Sequence, residues 1–149
     1  MRRNLSSHLL LGTLCAFQLS CAPPEPPNQA PPVAVRPSVD ATYLVFFDWG
    51  SSRIGPRGRQ IIAEAARSAG GAEGSGRVEL QAYADRSGRS SRNQSLSERR
   101  AEAVAAELAR RGVRRERVAI QAFGEDRAFV PTRDEVREGQ NRAVWIVLR

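Results

Sequence analysis

The sequence is short of the residues that build metal centres and nucleophilic active sites. Its one histidine is His8, and its two cysteines are Cys15 and Cys21. A tetrahedral zinc site takes four such ligands, so no metal site and no cofactor are expected. The serines cluster in turns and helix starts, where they serve as turn formers and caps. No nucleophile–base arrangement is visible, so no catalytic residue is assigned and the chain reads as a non-enzyme. Long apolar runs are also missing. Leu9, Leu10, Leu11, Leu14, Ala16 and Phe17 form a segment too short and too interrupted to span a bilayer. The 149 residues also leave no room for a membrane barrel, which takes at least about eight strands. No block of basic residues is interleaved with aromatics, which argues against a nucleic-acid partner.

What is present begins with Arg2 and Arg3 ahead of the apolar segment. Together they read as a secretory signal over residues 1–20, removed from the mature protein. Leu19-Ser20-Cys21 is similar to a bacterial lipobox, in which the cysteine becomes the lipidated first residue. Gln18 stands where an aliphatic residue is preferred. Ser20-Cys21-Ala22 also reads as a small-x-small site for ordinary signal peptidase, although Pro23 would then follow the cut. With Cys15 in the signal, Cys21 has no partner for a disulfide, and an unpaired cysteine in an exported chain calls for an explanation. Lipidation at Cys21 supplies one.

Residues 21–41 follow as a lipidated cysteine and a tether. Seven of the nine prolines fall between Pro23 and Pro37. Such a segment favours extended polyproline geometry and buries no core. At about 3.1 Å per residue it reaches on the order of 60 Å. The formal charge is +7, carried by arginines spread along the chain and often beside glutamates. A solvated surface accounts for it, and attraction to anionic envelope polymers is the functional alternative.

Residues 42–149 alternate strand and helix. Residues 43–47 form a β-prone run. Gly55-Pro56 breaks the chain and starts a helix carrying Ile61, Ile62, Ala65 and Ala66, which Gly70-Gly71 ends. Val78, Leu80 and Ala82 alternate with Glu79, Gln81 and Tyr83, as in a half-buried strand. A long helix is expected over residues 92–111, stopped by Gly112. Val118, Ile120 and Ala122 alternate in a third strand. A short helix is expected near residues 132–139, and Val144, Ile146 and Leu148 mark the last strand. The fold class is α+β, in the order β-α-β-α-β-β, with the helices on one face of a four-stranded mixed sheet.

One constellation stands out. Leu96, Arg100, Val104 and Leu108 are four apart and share one side of the long helix. This places Arg100 at the edge of an apolar stripe, where it needs a partner. Asp85 is the acidic candidate on the loop just upstream of the helix. The two could clamp a small zwitterion or form a structural salt bridge between loop and helix. Asn93 could cap or turn the chain, Leu96 could be plain core, and Phe47 is core or pocket.

The pattern Asp85-Arg86-Ser87-Gly88, followed by Asn93-Gln94-Ser95-Leu96-Ser97-Glu98-Arg99-Arg100-Ala101 and Val104, resembles the OmpA-like peptidoglycan-binding domain, a family that includes the Pal lipoproteins. Phe46-Phe47-Asp48-Trp49, Phe123-Gly124-Glu125 and Asn141-Arg142 before Val144 fall in the order that family has. The resemblance implies an OmpA-C-like sandwich over residues 42–149 that grips the diaminopimelate of the peptidoglycan stem peptide. By resemblance, Asp85 takes the ammonium and Arg100 the carboxylate, for which a guanidinium fork is suited. Asn93 would hydrogen-bond the stem peptide or the loop, Leu96 would form an apolar wall, Phe47 and Asp48 would line the other side, and Arg142 would be a neighbouring cation. Ala84 stands where the family usually has Thr, and Ala143 where it has a second Arg. The implied protein is an outer-membrane lipoprotein facing the periplasm, with the stem peptide and the membrane, through Cys21, as partners. The alternative is an envelope scaffold, similar to Pal with the Tol system, that binds protein partners instead of the wall.

Overall fold

The computed structural model describes residues 41–149. The signal segment, Cys21 and the proline-rich stretch lie outside the described residues. Strand β1 (Thr42–Phe46) leads through a loop to helix α1 (Pro56–Ser68). Strand β2 (Val78–Tyr83), helix α2 (Ser90–Arg110), strand β3 (Val118–Gly124) and strand β4 (Ala143–Leu148) follow. Short 3-10 turns precede β3 and β4, at Arg115–Arg117 and Gly139–Asn141.

The strands form one mixed sheet in the order β1-β4-β2-β3. β2 and β3 run parallel and are joined through α2, as a parallel pair requires. β4, the last strand, inserts between β1 and β2, antiparallel to both. Its central place buries Val147 as well as the alternating Val144, Ile146 and Leu148. In β2 the alternation holds as the sequence suggests: Val78, Leu80 and Ala82 are fully buried, and Glu79, Gln81 and Tyr83 are half-buried. Both helices contribute to one core, with Ile62, Ala65 and Ala66 from α1 and Ala101, Val104, Ala105 and Leu108 from α2 packed against those strand residues. Burying each of the Val, Leu and Ile side chains among them contributes about 1.5–3 kcal/mol, which holds the sheet and helices together.

Local signals explain the helix ends. Pro56 opens α1 at a position where its missing N–H costs nothing. Gly71, at φ 52°, closes it by donating to the Ala66 carbonyl at 3.0 Å. The Arg117 guanidinium also covers this end, donating to the carbonyls of Ala69, Gly71 and Gly76 at 2.7–2.8 Å.

The helix expected near residues 132–139 does not form. The backbone donors of that segment are used elsewhere: Glu135 N donates to the Arg86 carbonyl at 2.8 Å, and Glu138 N reaches the Asp85 carboxylate at 3.3 Å. A chain whose N–H groups bind the β2–α2 loop cannot also close i→i+4 bonds. Asn141 anchors the same loop by accepting from Val130 N and donating to Val130 O, both at 2.8 Å.

Candidate functional site

The site lies where β2 ends and α2 begins. After Tyr83 the chain turns through Ala84, Asp85, Arg86, Ser87 and Gly88, and Gly88 takes φ 116°, which a side chain would resist. This turn holds the Asp85 carboxylate inside the protein, where Asp85 is 4% exposed. Its Oδ1 accepts from Ser87 Oγ at 2.6 Å, and its Oδ2 accepts from Glu138 N and from Arg142 Nη1, the latter at 3.0 Å. A carboxylate has about four lone-pair sites, so these three bonds leave one free, on Oδ1.

Asp85 forms one wall of a cavity of about 210 Å³ whose lining includes Trp49, Ser87, Asn93, Leu96 and Arg137. The space suits an amino-acid end group better than a drug-sized ligand, which takes about 300 Å³ or more. Asn93 is 3% exposed and donates through Nδ2 to Glu125 at 2.6 Å. The first two turns of α2 put Asn93 and Leu96 on the cavity side, about one turn apart.

Arg100 is placed differently from the sequence expectation. It is not at a solvent-facing edge of the apolar stripe: it is fully buried. It does not pair with Asp85. Its Nε donates to the Ser51 carbonyl at 2.9 Å, Nη1 to Tyr83 O at 3.1 Å and Nη2 to Asp48 O at 3.1 Å. The guanidinium lies 5.2 Å from the centre of the Phe47 ring. Burial pushes the Arg100 pKa down to about 10, with Asp85 acting in the opposite direction and Arg142 and Arg99 adding to the fall. The group remains a cation at neutral pH, tied to three main-chain dipoles.

The ion-pair partner of Asp85 is Arg142. Arg142 also donates through Nε to the Phe47 carbonyl at 3.1 Å, while Phe47 N returns a bond to Arg142 O. The sequence-derived residues therefore divide into two groups. Asp85, Asn93 and Leu96 line the cavity. Phe47, Asp48, Arg100 and Arg142 do not line it; they lock the end of β1 to β2, α2 and β4. Asp48 is exposed, and its contribution to this lock is its carbonyl.

Ser87, Trp49 and Arg137 are among the lining residues not singled out from sequence. Ser87 lies two residues after Asp85, a spacing at which side chains hydrogen-bond locally, and that signal was available. Trp49 adjoins Phe47-Asp48 in the quoted strand motif, and its indole Nε1 donates to Ser87 Oγ at 2.8 Å. Arg137 stacks on that indole with its guanidinium 3.8 Å from the ring centre. No sequence signal joins positions 49 and 137. A larger cavity, about 510 Å³, opens at the opposite end of the sheet beside Tyr43, Ser68 and Arg117. Its Arg117 is committed to the carbonyls that close α1, so that end offers less for recognition.

Comparison with known proteins agrees with this architecture. Residues 46–142 match the OmpA family. An outer membrane protein of Gluconacetobacter diazotrophicus is 41% identical over 97% of this chain, and the chain spans 39% of that relative's length. The peptidoglycan-associated lipoprotein of Pseudomonas aeruginosa is 32% identical over 70% of this chain, which spans 61% of it. The crystal structure of the peptidoglycan-associated lipoprotein from Burkholderia pseudomallei aligns with a TM-score of 0.62 at 24% identity, covering 72% of this chain and 90% of that one. This last likeness establishes the fold: two helices on a four-stranded mixed sheet.

Proposed function

The chain belongs to the OmpA family, and from that premise we propose that it is a non-catalytic peptidoglycan-binding lipoprotein that anchors the outer membrane to the cell wall. The name of the Pseudomonas relative, peptidoglycan-associated lipoprotein, supports this reading. The ligand is the diaminopimelate of the stem peptide, whose side chain ends in an ammonium and a carboxylate on one carbon. Lipid at Cys21 and the proline-rich stretch would tether the domain on the periplasmic side of the outer membrane.

The observation that carries the proposal is the buried Asp85 carboxylate at the wall of a small cavity bordered by guanidinium groups. An anion held in a partly dry site binds an ammonium more strongly than one in open water. Asp85 has one oxygen position left for that bond. Leu96 supplies an apolar wall for the methylenes of the diaminopimelate side chain, and Asn93 a polar one. Arg142 and Arg100 hold the carboxylate and the surrounding backbone in place before the ligand arrives. Such preorganisation lowers the ordering cost of binding.

The test is co-sedimentation of the protein with purified sacculi. Wild-type protein is expected in the pellet, and Asp85→Ala, checked for folding by circular dichroism, in the supernatant. Equal pelleting of both removes Asp85 from the account, and no pelleting of the wild type removes wall binding altogether.

The second reading is an envelope scaffold for protein partners. Phe46 and Phe129 favour it, since each is a large apolar residue more than half exposed. In-cell crosslinking that traps a protein, retained after the wall is digested, would support it. Crosslinks to glycan alone would not.

A further inference from the structure

We propose that the free edge of β1 is a pairing surface for a second copy of this chain, antiparallel to it and centred on Leu44. The sheet has two edges, β1 and β3. The residues flanking β1 fix which way its main-chain groups point. Leu148 N donates to Ala41 O at 2.9 Å, and Phe47 N to Arg142 O at 2.9 Å. Bonded and non-bonded pairs alternate along an antiparallel ladder. In the register from Thr42↔Val147 to Phe46↔Ala143, Tyr43 and Val45 therefore bond β4, and Thr42, Leu44 and Phe46 turn their N–H and C=O groups outward. No turn or loop bond of the described residues uses those groups.

The two edges are finished differently. A sheet edge is commonly guarded by charge, proline or a covering element. On β3, Arg115 Nη1 donates to Val118 O at 3.1 Å and Gln94 Nε2 to Ala122 O at 3.2 Å, so side chains from α2 and from the turn before β3 cover it. β1 reads Thr42-Tyr43-Leu44-Val45-Phe46, with neither charge nor proline. Val45 is in the core and Tyr43 packs against it. On the opposite face Thr42 and Phe46 are exposed and Leu44 is half-buried.

A second copy fits this edge because its outward residues are symmetric about Leu44. A two-fold axis there sets Leu44 opposite Leu44 and Thr42 opposite Phe46 of the second copy. Each of these pairs exchanges both main-chain bonds, so every outward group of the strand is used. Thr and Phe make a favourable β-branched–aromatic pair across strands, and no charge meets a like charge. A charged peptide would find no complement along the strand. The pairing joins two sheets into one and puts two Asp85 cavities in a single assembly. It does not rest on the wall-binding reading.

The experiment is sedimentation equilibrium of the full chain over a range of concentrations, in reducing buffer so that Cys15 and Cys21 form no cross-links. Wild type is expected to shift from monomer to dimer mass as concentration rises. Thr42 and Phe46 are exposed, so charges at these positions should leave the fold intact, which circular dichroism checks. The double variant Thr42→Lys with Phe46→Lys sets like charges opposite each other twice and is expected to weaken the dimer at least about tenfold. Thr42→Lys with Phe46→Glu sets opposite charges there and should restore it. Gln121→Lys, on β3, should leave the dimer unchanged. The pairing is overturned by a wild type that stays monomeric, by a dimer that survives the first double variant, by a second double variant that stays monomeric, or by loss of the dimer in Gln121→Lys. Wall binding is read separately, by co-sedimentation with sacculi, and none of these outcomes touches it.

Discussion

Asp85 and Arg142, 57 residues apart in sequence, form an ion pair at 3.0 Å with side-chain exposures of 5% and 21%. This contact ties the turn after β2 to the start of β4. It also compensates the charge of a carboxylate held in a cavity wall. An uncompensated buried charge is costly, and removing one partner of a buried pair costs about 3–5 kcal/mol.

Arg142→Ala is therefore expected to destabilise the domain by about 2–4 kcal/mol, somewhat less than for a fully buried pair because Arg142 keeps partial solvent access. Chemical unfolding monitored by circular dichroism measures it. A loss below about 0.5 kcal/mol would mean that Ser87 Oγ and Glu138 N suffice to hold the carboxylate.

Arg100→Ala acts differently. It strips donors from three carbonyls, those of Asp48, Ser51 and Tyr83, and leaves a void beside Phe47. An unsatisfied buried polar group costs about 1–3 kcal/mol, so a loss of at least about 3 kcal/mol is expected. Arg100→Lys places one ammonium where three donors diverge and should recover only part of this. The melting temperatures of the two variants, compared with wild type, decide the point. If both melt like wild type, Arg100 is not structural.

Gly124 gives a third test. It ends β3 at φ 56°, and a Cβ there would stand 2.9 Å from Gln94 Oε1 and 3.2 Å from the Gln94 backbone. Its N–H donates to Ser97 Oγ at 3.1 Å in a buried setting. Gly124→Ala combines left-handed strain of about 1–2 kcal/mol with pressure on α2. A drop of about 2–3 kcal/mol in unfolding free energy is expected, and because α2 carries Asn93 and Leu96, ligand affinity should fall with it.

Glu107 supplies a pH dependence. Its hydrogen bond from Arg110 holds the carboxyl below the ordinary range, against the opposing effect of burial and with further help from Arg111. A carboxyl whose folded pKa is depressed contributes stability above its unfolded pKa of 4.5 and loses that contribution as pH falls through the folded value. Wild type should thus exceed Glu107→Gln in urea midpoint at pH 7, and the gap should close toward pH 3. A gap that stays constant over that interval would show that the ion pairs contribute nothing.

Much of the fold is legible in the sequence because local rules agree with tertiary packing. The alternation of Val78, Leu80 and Ala82, the Pro56 start and the Gly70-Gly71 stop each describe a boundary that needs no distant contact. The site is less legible because its decisive bonds span the chain. Arg100 reads as a stripe-edge residue in want of a carboxylate, since nothing in its neighbourhood announces that the carbonyls of Asp48 and Ser51 will surround it. Asp85 stands on the loop just upstream of the Arg100 helix, yet β4 inserts beside β2 and delivers Arg142 to it instead. Residues 132–139 look helical until their N–H groups are seen to serve the Asp85 turn. Ala84 and Ala143, the two departures from the family pattern, are both fully buried, so each occupies a packed position and neither removes a cavity-lining group.

Wall recognition at the Asp85 cavity is tested most directly by nitrogen-15 chemical-shift mapping of the protein during titration with a diaminopimelate stem peptide. The shifts expected to move are the backbone amides of Asp85, Ser87, Gly88 and Asn93 and the indole N–H of Trp49, with Tyr43, Ser68 and Gly74 at the far end of the sheet unchanged. Saturable shifts confined to that far end, with the Asp85 turn silent, would contradict the account.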